Sequence, residues 1–346
     1  MRKKVFFALG CVLYLTGCDS SSLEKVIPQT KFFPIQFSIQ MEKEIVSFPT
    51  RSIPNNVIPE PTVSKAGESD AELNEICSTI EYVVFKNEDT PALIKHKQFT
   101  YNPTDLDADF SCIYDSLPQG DYKFYFLAHN SKNAVLSGST FSFDSISDTF
   151  YEMISLNIDV AEITNKDVSL QRIVSRIEFM ATDSVSDILK QFDMEIDGIS
   201  NQLDIATGQG IKIPDKQILS YTFKNNEIGE VNKVHSFYTF IPPTDNKIAV
   251  RLSAIAKNDE PIRERQIDNI IPEKNKIIRY KGRLYSRSES DDTFQISIYN
   301  NGKWEETTDI ELPDYEYNLY KHMLSINNTA AQTFLYIVLI HIFVIE

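Results

Sequence analysis

No stretch of this 346-residue sequence is long and apolar enough to cross a bilayer as a helix, which takes roughly 20 apolar residues. The two apolar runs, Val5 to Leu15 and Phe334 to Ile345, both fall short. Positive charge is in deficit as well: 34 Lys and Arg stand against 49 Asp and Glu, a formal charge of -15. Such a chain repels phosphate backbones and anionic headgroups, so nucleic acid is not an expected partner. The usual marks of catalysis are missing. His96, His129, His235, His322 and His341 lie far apart in unrelated contexts. There is no helical His pair for zinc, no Gly-x-Ser-x-Gly elbow, no Cys pair at metal spacing and no phosphate loop. Gly208-Gln209-Gly210 lacks a third glycine and reads as a plain turn. These absences lead us to expect a non-enzymatic protein without metal or cofactor. Tryptophan occurs once and glycine 11 times, against 22 Phe and 16 Tyr, a balance that favours strands.

What is present begins at the N-terminus. Met1-Arg2-Lys3-Lys4 followed by Val5 to Leu15 is the charged region and short apolar region of a secretory signal. Leu15-Thr16-Gly17-Cys18 then matches a bacterial lipobox. A thiol can take a diacylglyceryl group as a thioether, and the small Gly17 lets the signal peptidase close on the bond before Cys18. Residues 1–17 are the expected signal peptide, and losing Arg2, Lys3 and Lys4 takes the charge to about -18. Each buried methylene contributes about 0.8 kcal/mol, so the two or three acyl chains on Cys18, palmitate among them, hold the protein without the polypeptide entering the membrane. Residues 18–31, with Asp19-Ser20-Ser21-Ser22 and Pro28, read as a polar tether. Cys11 leaves with the signal, so Cys77 and Cys112 remain in the folded part. The exported compartment permits a disulfide between them, and burial as two separate thiols fits the sequence equally well.

Strand patterns follow. Ile35-Gln36-Phe37-Ser38-Ile39-Gln40-Met41 alternates strictly, the period of a half-buried strand. Residues 49–69, with Pro49, Pro54, Pro59 and Pro61, read as a loop. Further strands are expected over 76–85, 110–114, 121–129, 140–143, 154–158, 170–181, 193–199, 236–241 and 247–257. Leu117-Pro118-Gln119-Gly120 has the residues of a tight turn and suggests a hairpin between its neighbours. Phe294 to Tyr299 followed by Asn301-Gly302 and Trp304 is a strong hairpin signal. Only Ser184 to Gln191 hints at a helix. Strands at short spacing point to an all-β chain of two consecutive β-sandwich domains, over 32–165 and 166–315, with a tail over 316–346. No solenoid repeat is visible.

Three weaker features carry bland explanations. Asp105-Leu106-Asp107-Ala108-Asp109 resembles the start of a calcium loop, but Phe110 stands where glycine is needed and Ser116 where the bidentate acid should be. A solvated acidic loop accounts for it, as for Glu289, Asp291 and Asp292. An acidic chain offers many carboxylate pairs, and nothing marks one out for glycosidase chemistry. The run 334–345 fits a buried strand better than a strand donated to a neighbouring subunit, because it does not alternate.

Together the lipobox, the first strand over Phe32 to Met41, Cys77-Ser78-Thr79-Ile80-Glu81-Tyr82-Val83-Val84-Phe85, Leu117-Pro118-Gln119-Gly120-Asp121-Tyr122-Lys123-Phe124 and Arg172-Ile173-Val174-Ser175-Arg176-Ile177-Glu178-Phe179 resemble the fimbrillin-type pilus proteins of Bacteroidetes, above all their lipid-anchored anchor or accessory subunits. The resemblance implies two sandwich domains of transthyretin-like or Greek-key type and an outer-membrane, cell-surface location. It also implies pilus subunits as partners, joined by β-strand addition, with the membrane reached only through the lipid. In stalk subunits of that family a protease cuts after an Arg beyond the first strand, which then leaves. Arg51, in Pro49-Thr50-Arg51-Ser52, is placed where such a cut would release a stalk or tip subunit. Ser116, Ser145 and Ser184 sit in Asp-Ser-aliphatic triplets that resemble the O-glycosylation motif of these bacteria. The alternatives from other classes are a monomeric surface lipoprotein that binds glycan or host ligand, and a lipid-anchored hydrolase.

Overall fold

A computed structural model of the chain describes residues 31–42, 73–104, 110–159, 164–287, 293–300 and 303–311. Its elements in order are β1 (Phe32–Met41), a short helix α1 (Leu73–Ile76), β2 (Thr79–Lys86), β3 (Ala92–Thr100), β4 (Cys112–Pro118), β5 (Gly120–His129), β6 (Ala134–Ser137), β7 (Thr140–Phe143), β8 (Thr149–Ile158) and β9 (Thr164–Arg172). There follow β10 (Val174–Ala181), β11 (Leu189–Asp197), β12 (Gln202–Asp204), β13 (Gln209–Ile211), β14 (Gln217–Thr222), a 3-10 turn over Asn225–Glu227, β15 (Val234–Phe240), β16 (Ile248–Ala256), β17 (Pro261–Ile270), β18 (Lys276–Gly282), β19 (Thr293–Asn300) and β20 (Lys303–Glu311). The all-β class expected from the sequence is what the chain adopts.

Pairing sorts the strands into two sandwiches. In the first, β3-β2-β5-β8 forms one layer and β9-β1-β4 the other, joined where β8 and β9 pair at Phe150 with Arg172 and Tyr151 with Gln171. The core between them holds the inward side chains of β1 together with Ile80, Tyr82, Val84, Ile113, Phe124, Phe126, Val168 and Leu170. In the second, β15-β10-β18-β19-β20 packs over β14-β11-β16-β17, around Ile177, Phe179, Phe192, Val250, Leu252, Ile278 and Phe294.

The two sandwiches are wired alike. β1 lies between β4, antiparallel, and β9, parallel. β10 lies between β15, antiparallel, and β18, parallel. β2 pairs with β3 and β5, and β5 with β8. In the same chain order β11 pairs with β14 and β16, and β16 with β17. The β19–β20 hairpin is an addition to the second unit, on the outer edge of β18, and it is the hairpin that Phe294 to Trp304 predicts.

A third, smaller sheet is shared. The hairpin β6–β7 lies between β5 and β8 in the chain, the hairpin β12–β13 between β11 and β14, and β7 pairs with β12. Under it sits an apolar cluster drawn from both units, including Val83, Leu127, Phe141, Phe143, Val174, Leu203 and Phe240. This explains why β2, β5 and β10 are buried on both faces and read as continuous apolar runs.

Three expectations are corrected, and one open alternative is decided. The strand predicted over 170–181 is two strands, β9 ending at Arg172 and β10 beginning at Val174, because the chain changes sandwich at Ile173. β4 and β5 are not a hairpin: β4 pairs with β1 and β5 with β2 and β8, so Gln119 carries the chain from one layer to the other. Residues 184–188 are irregular chain and a turn leading into β11 rather than helix. Cys77 and Cys112 are separate thiols, with Cys77 buried and Cys112 half-buried, so the disulfide that the sequence left open is not made. Burial raises the Cys77 thiol pKa well above the ordinary value, which keeps it protonated and unreactive.

Candidate functional site

The feature that stands out chemically is a strand in a groove. β1 contributes Phe33, Ile35, Phe37, Ile39 and Met41 to the core, all buried, while Pro34, Ser38 and Gln40 face outward. Phe37 is fully buried and meets three rings of the opposite layer, with centroids 5.1 Å from Phe124, 5.0 Å from Phe126 and 5.9 Å from Tyr82. The backbone of β1 is paired on both sides, to β4 from Phe32 to Ser38 and to β9 from Ile35 to Met41. Ile39 N also donates to Ser111 O at 2.7 Å, and Glu42 N to Leu170 O at 2.9 Å.

The groove floor is held rigid by its own polar contacts. Tyr82 Oη donates to Asp115 Oδ2 at 2.8 Å, and Lys95 pairs with the same carboxylate. Burial, with the Asp115 charge beside it, pushes the Tyr82 phenol far up, so it stays a donor. On the other face of β2, Glu81 sits under the shared sheet and gathers His96 Nε2 at 2.7 Å, Gln98 Nε2 at 2.6 Å and His129 Nε2 at 3.6 Å. Burial would raise the carboxyl, but His129 beside it and the bonds from Gln98 and His96 outweigh that and hold its pKa below the usual value. No motif marks His96 and His129 as partners, because strand register alone sets them on either side of Glu81. Among the described residues no group of His, Cys, Asp and Glu is arranged to hold a metal.

Where the units join, Arg172 ends β9 with Nε on Asp148 Oδ1 at 2.7 Å, Nη2 on Asp148 Oδ2 at 2.9 Å and Nη1 on Asn275 Oδ1 at 2.8 Å. Its guanidinium also lies 4.9 Å from the Phe150 ring centroid. Glu178, fully buried on β10, lies between Arg176 at 2.9 Å and Arg279 at 2.5 Å. Arg172 and Ile173 therefore form the seam between the sandwiches, while the Glu178 ion pairs tie β10 to β18 within the second.

Of the residues singled out in the sequence, Gly17, Cys18 and Arg51 lie outside the described residues, as do residues 18–30 of the tether, the acidic loop at 105–109 and the tail. Ser116, Ser145 and Ser184 are all exposed, on β4, after β7 and before β11. Asp183, beside Ser184, is occupied: its carboxylate accepts the backbone N–H of Leu284, Tyr285 and Ser286. Gly208 makes the expected turn at φ +65°, and Gly210 lies on β13.

No protein-family model matches the chain, and no curated protein matches it. Among solved structures it is similar to a candidate adhesin from Bacteroides ovatus, at 12% identity and a TM-score of 0.45, over 76% of this chain and 88% of that one. It is also similar to the fimbrial anchor protein Mfa2 of Porphyromonas gingivalis, at 10% identity and 0.42, over 80% and 100%. A third is the tip fimbrial protein Mfa3 of the same organism, with C-terminal truncation, at 9% and 0.35, over 81% and 100%. Likenesses of that size carry no residue role from one chain to another.

Proposed function

We propose that this chain is a non-enzymatic, lipid-anchored subunit of a bacterial surface pilus, the anchor or an accessory subunit, held to the outer membrane through acyl chains on Cys18 and joined to its partners by β-strand addition. The observation that carries this reading is β1 itself. A strand near the start of the chain fills a groove between β4 and β9 and supplies five side chains to the core. Burying five such side chains is worth on the order of 10 kcal/mol, comparable to the whole net stability of a domain. The groove therefore cannot stay empty. If β1 leaves, another strand with alternating apolar residues must replace it, which is the requirement for assembly by strand exchange. A glycan-binding platform is less well supported, since among the residues whose burial is described the exposed large aromatics are Phe32 and Tyr114.

Mass spectrometry of the N-terminal peptide from the native outer membrane tests the anchor reading. An acylated Cys18 is expected; a chain beginning at Ser52 would instead identify a released stalk or tip subunit, and an unprocessed Met1 would refute export by the lipoprotein route. Strand addition is tested with a labelled peptide of residues 32–41, which partly denatured chain should take up on refolding. Equal uptake of the same peptide carrying Phe37→Asp would overturn it.

A further inference from the structure

We infer that the fold is a tension-bearing link: both sandwiches are mounted so that a pull on the two ends of the chain loads their backbone hydrogen bonds in shear. The evidence is the direction of four strands. In the first sandwich the entering strand β1 and the leaving strand β9 are neighbours and parallel, paired from Ile35 with Thr164 to Met41 with Leu170. Tension enters β1 at Phe32 and leaves β9 at Arg172, at opposite ends of the pair. The strands must then slide along each other, and every bond between them resists at once. Two neighbouring strands pulled from the same end would open one bond at a time.

The second sandwich repeats the arrangement. β10 and β18 are parallel, from Arg176 with Ile277 to Ala181 with Gly282. The added hairpin preserves it, because β19 is antiparallel to β18 and β20 antiparallel to β19. β20 thus runs in the same direction as β10, and a pull on its end at Glu311 is again along the strands.

Between the sandwiches there is no slack. β9 ends at Arg172 and β10 begins at Val174, so Ile173 alone joins them. The junction is bolted by Ile173 N to Thr149 O at 3.1 Å, Asn275 N to Val174 O at 2.9 Å, Ser175 Oγ to Lys276 O at 3.1 Å and the Arg172 bonds to Asp148 and Asn275. Pairing of β7 with β12 adds a cross-link between the units. Side chains oppose sliding as well. Because successive side chains alternate between faces, β1 can only move by two residues, about 6.6 Å, to restore its apolar face. That shift would drag Phe37 out from among Tyr82, Phe124 and Phe126. The property belongs to the topology; its use in a surface filament rests on the proposed function, and the test below addresses the topology alone.

Forced unfolding reports the barrier to opening rather than the equilibrium stability, so direction of pull and stability are separable. The test is single-molecule stretching of the full chain in a background with Cys11→Ser, Cys18→Ser, Cys77→Ala and Cys112→Ser, with handles attached in two ways. One pair of handles is at the two chain ends. The other is on Glu42→Cys and Gln171→Cys, exposed neighbours at the same end of the β1–β9 pair. End-to-end pulling is expected to need a several-fold higher rupture force at the same loading rate. Equal forces in the two geometries would overturn the inference. Should that background not fold, the natural sequence is pulled by terminal peptide handles beside Ser38→Pro, in the loaded strand, and Val250→Ala, in β16. Rupture forces that fall in Ser38→Pro but hold in Val250→Ala support the link, whereas forces that merely follow the melting temperatures refute it.

Discussion

Replacing Phe37 by alanine is the sharpest perturbation of the groove. The side chain is fully buried, with three aromatic rings between 5.0 and 5.9 Å away, all on the facing layer. Removing a buried phenylalanine costs about 3–5 kcal/mol, transfer and cavity together, and the ring contacts are already inside that figure. The upper half applies here, because Tyr82 is tied to Asp115 and cannot fall into the space. Against a net stability of about 5–15 kcal/mol this removes roughly a quarter or more. Urea unfolding followed by far-ultraviolet circular dichroism measures it, with Ser38→Ala as the control. Ser38 is the next residue on the same strand but faces outward, and its change should stay within about 0.5 kcal/mol. A Phe37→Ala cost below about 1 kcal/mol would refute the argument that the groove cannot stand empty.

Other outcomes follow from buried charge and close approach. Burial and the nearby Lys233 hold His235 neutral, its pKa lowered to about 3. The unfolded chain binds that proton near pH 6.5, so stability is fully present above 6.5 and is lost as pH falls toward 3; between pH 7 and 5 the loss is about 2 kcal/mol. His235→Gln should flatten that part of the stability profile, and an unchanged slope would count against it. Arg172→Met strands the buried Asp148, whose pKa burial already raises, and should cost about 3–5 kcal/mol. Arg172→Met with Asp148→Leu should recover most of it in a double-mutant cycle, and purely additive losses would disprove the pairing. A Cβ on Gly210 would lie 2.8 Å from Phe240 Cβ and 2.9 Å from its carbonyl carbon, so Gly210→Ala should cost about 1–3 kcal/mol in the same urea assay. An unchanged midpoint would show that the shared sheet can shift.

Much of the fold is legible wherever one face of a strand meets a core and the other meets water. β1 and β16 alternate cleanly and are found where expected. β17 was missed because two of its inward positions are Arg263 and Arg265, each 1% exposed, with the Arg265 guanidinium 3.8 Å from the Phe294 ring centroid. Such a strand reads as polar although its stems are packed. β3 was missed for the opposite reason: it is an edge strand, exposed over most of its length, with no buried face to create a pattern. The Glu81 cluster was invisible because its members come from three strands, and only their register brings them together. The duplication leaves a trace as short as Ile35-Gln36-Phe37 against Ile177-Glu178-Phe179, since matching pairings need only matching alternation.

Under the proposed strand exchange, that duplication singles out one of the two equivalent strands. β1 and β10 hold the same place in their sandwiches, each between an antiparallel and a parallel neighbour. β10, however, is buried on both faces, carries the buried Arg176–Glu178 pair that also holds Arg279 of β18, and is joined to β9 through one residue. Removing it would break the second core, the shared cluster and the junction together. β1 is buried on one face only, and residues 42–72 lie between it and the next described element, so the proposed exchange would draw on β1 rather than β10. The cost of its departure is then the loss of one core's contacts, which an equivalent strand restores in full. Of the two central strands, only β1 combines a deep groove with an independent connection, and a cut at Arg51 would fall within that connection.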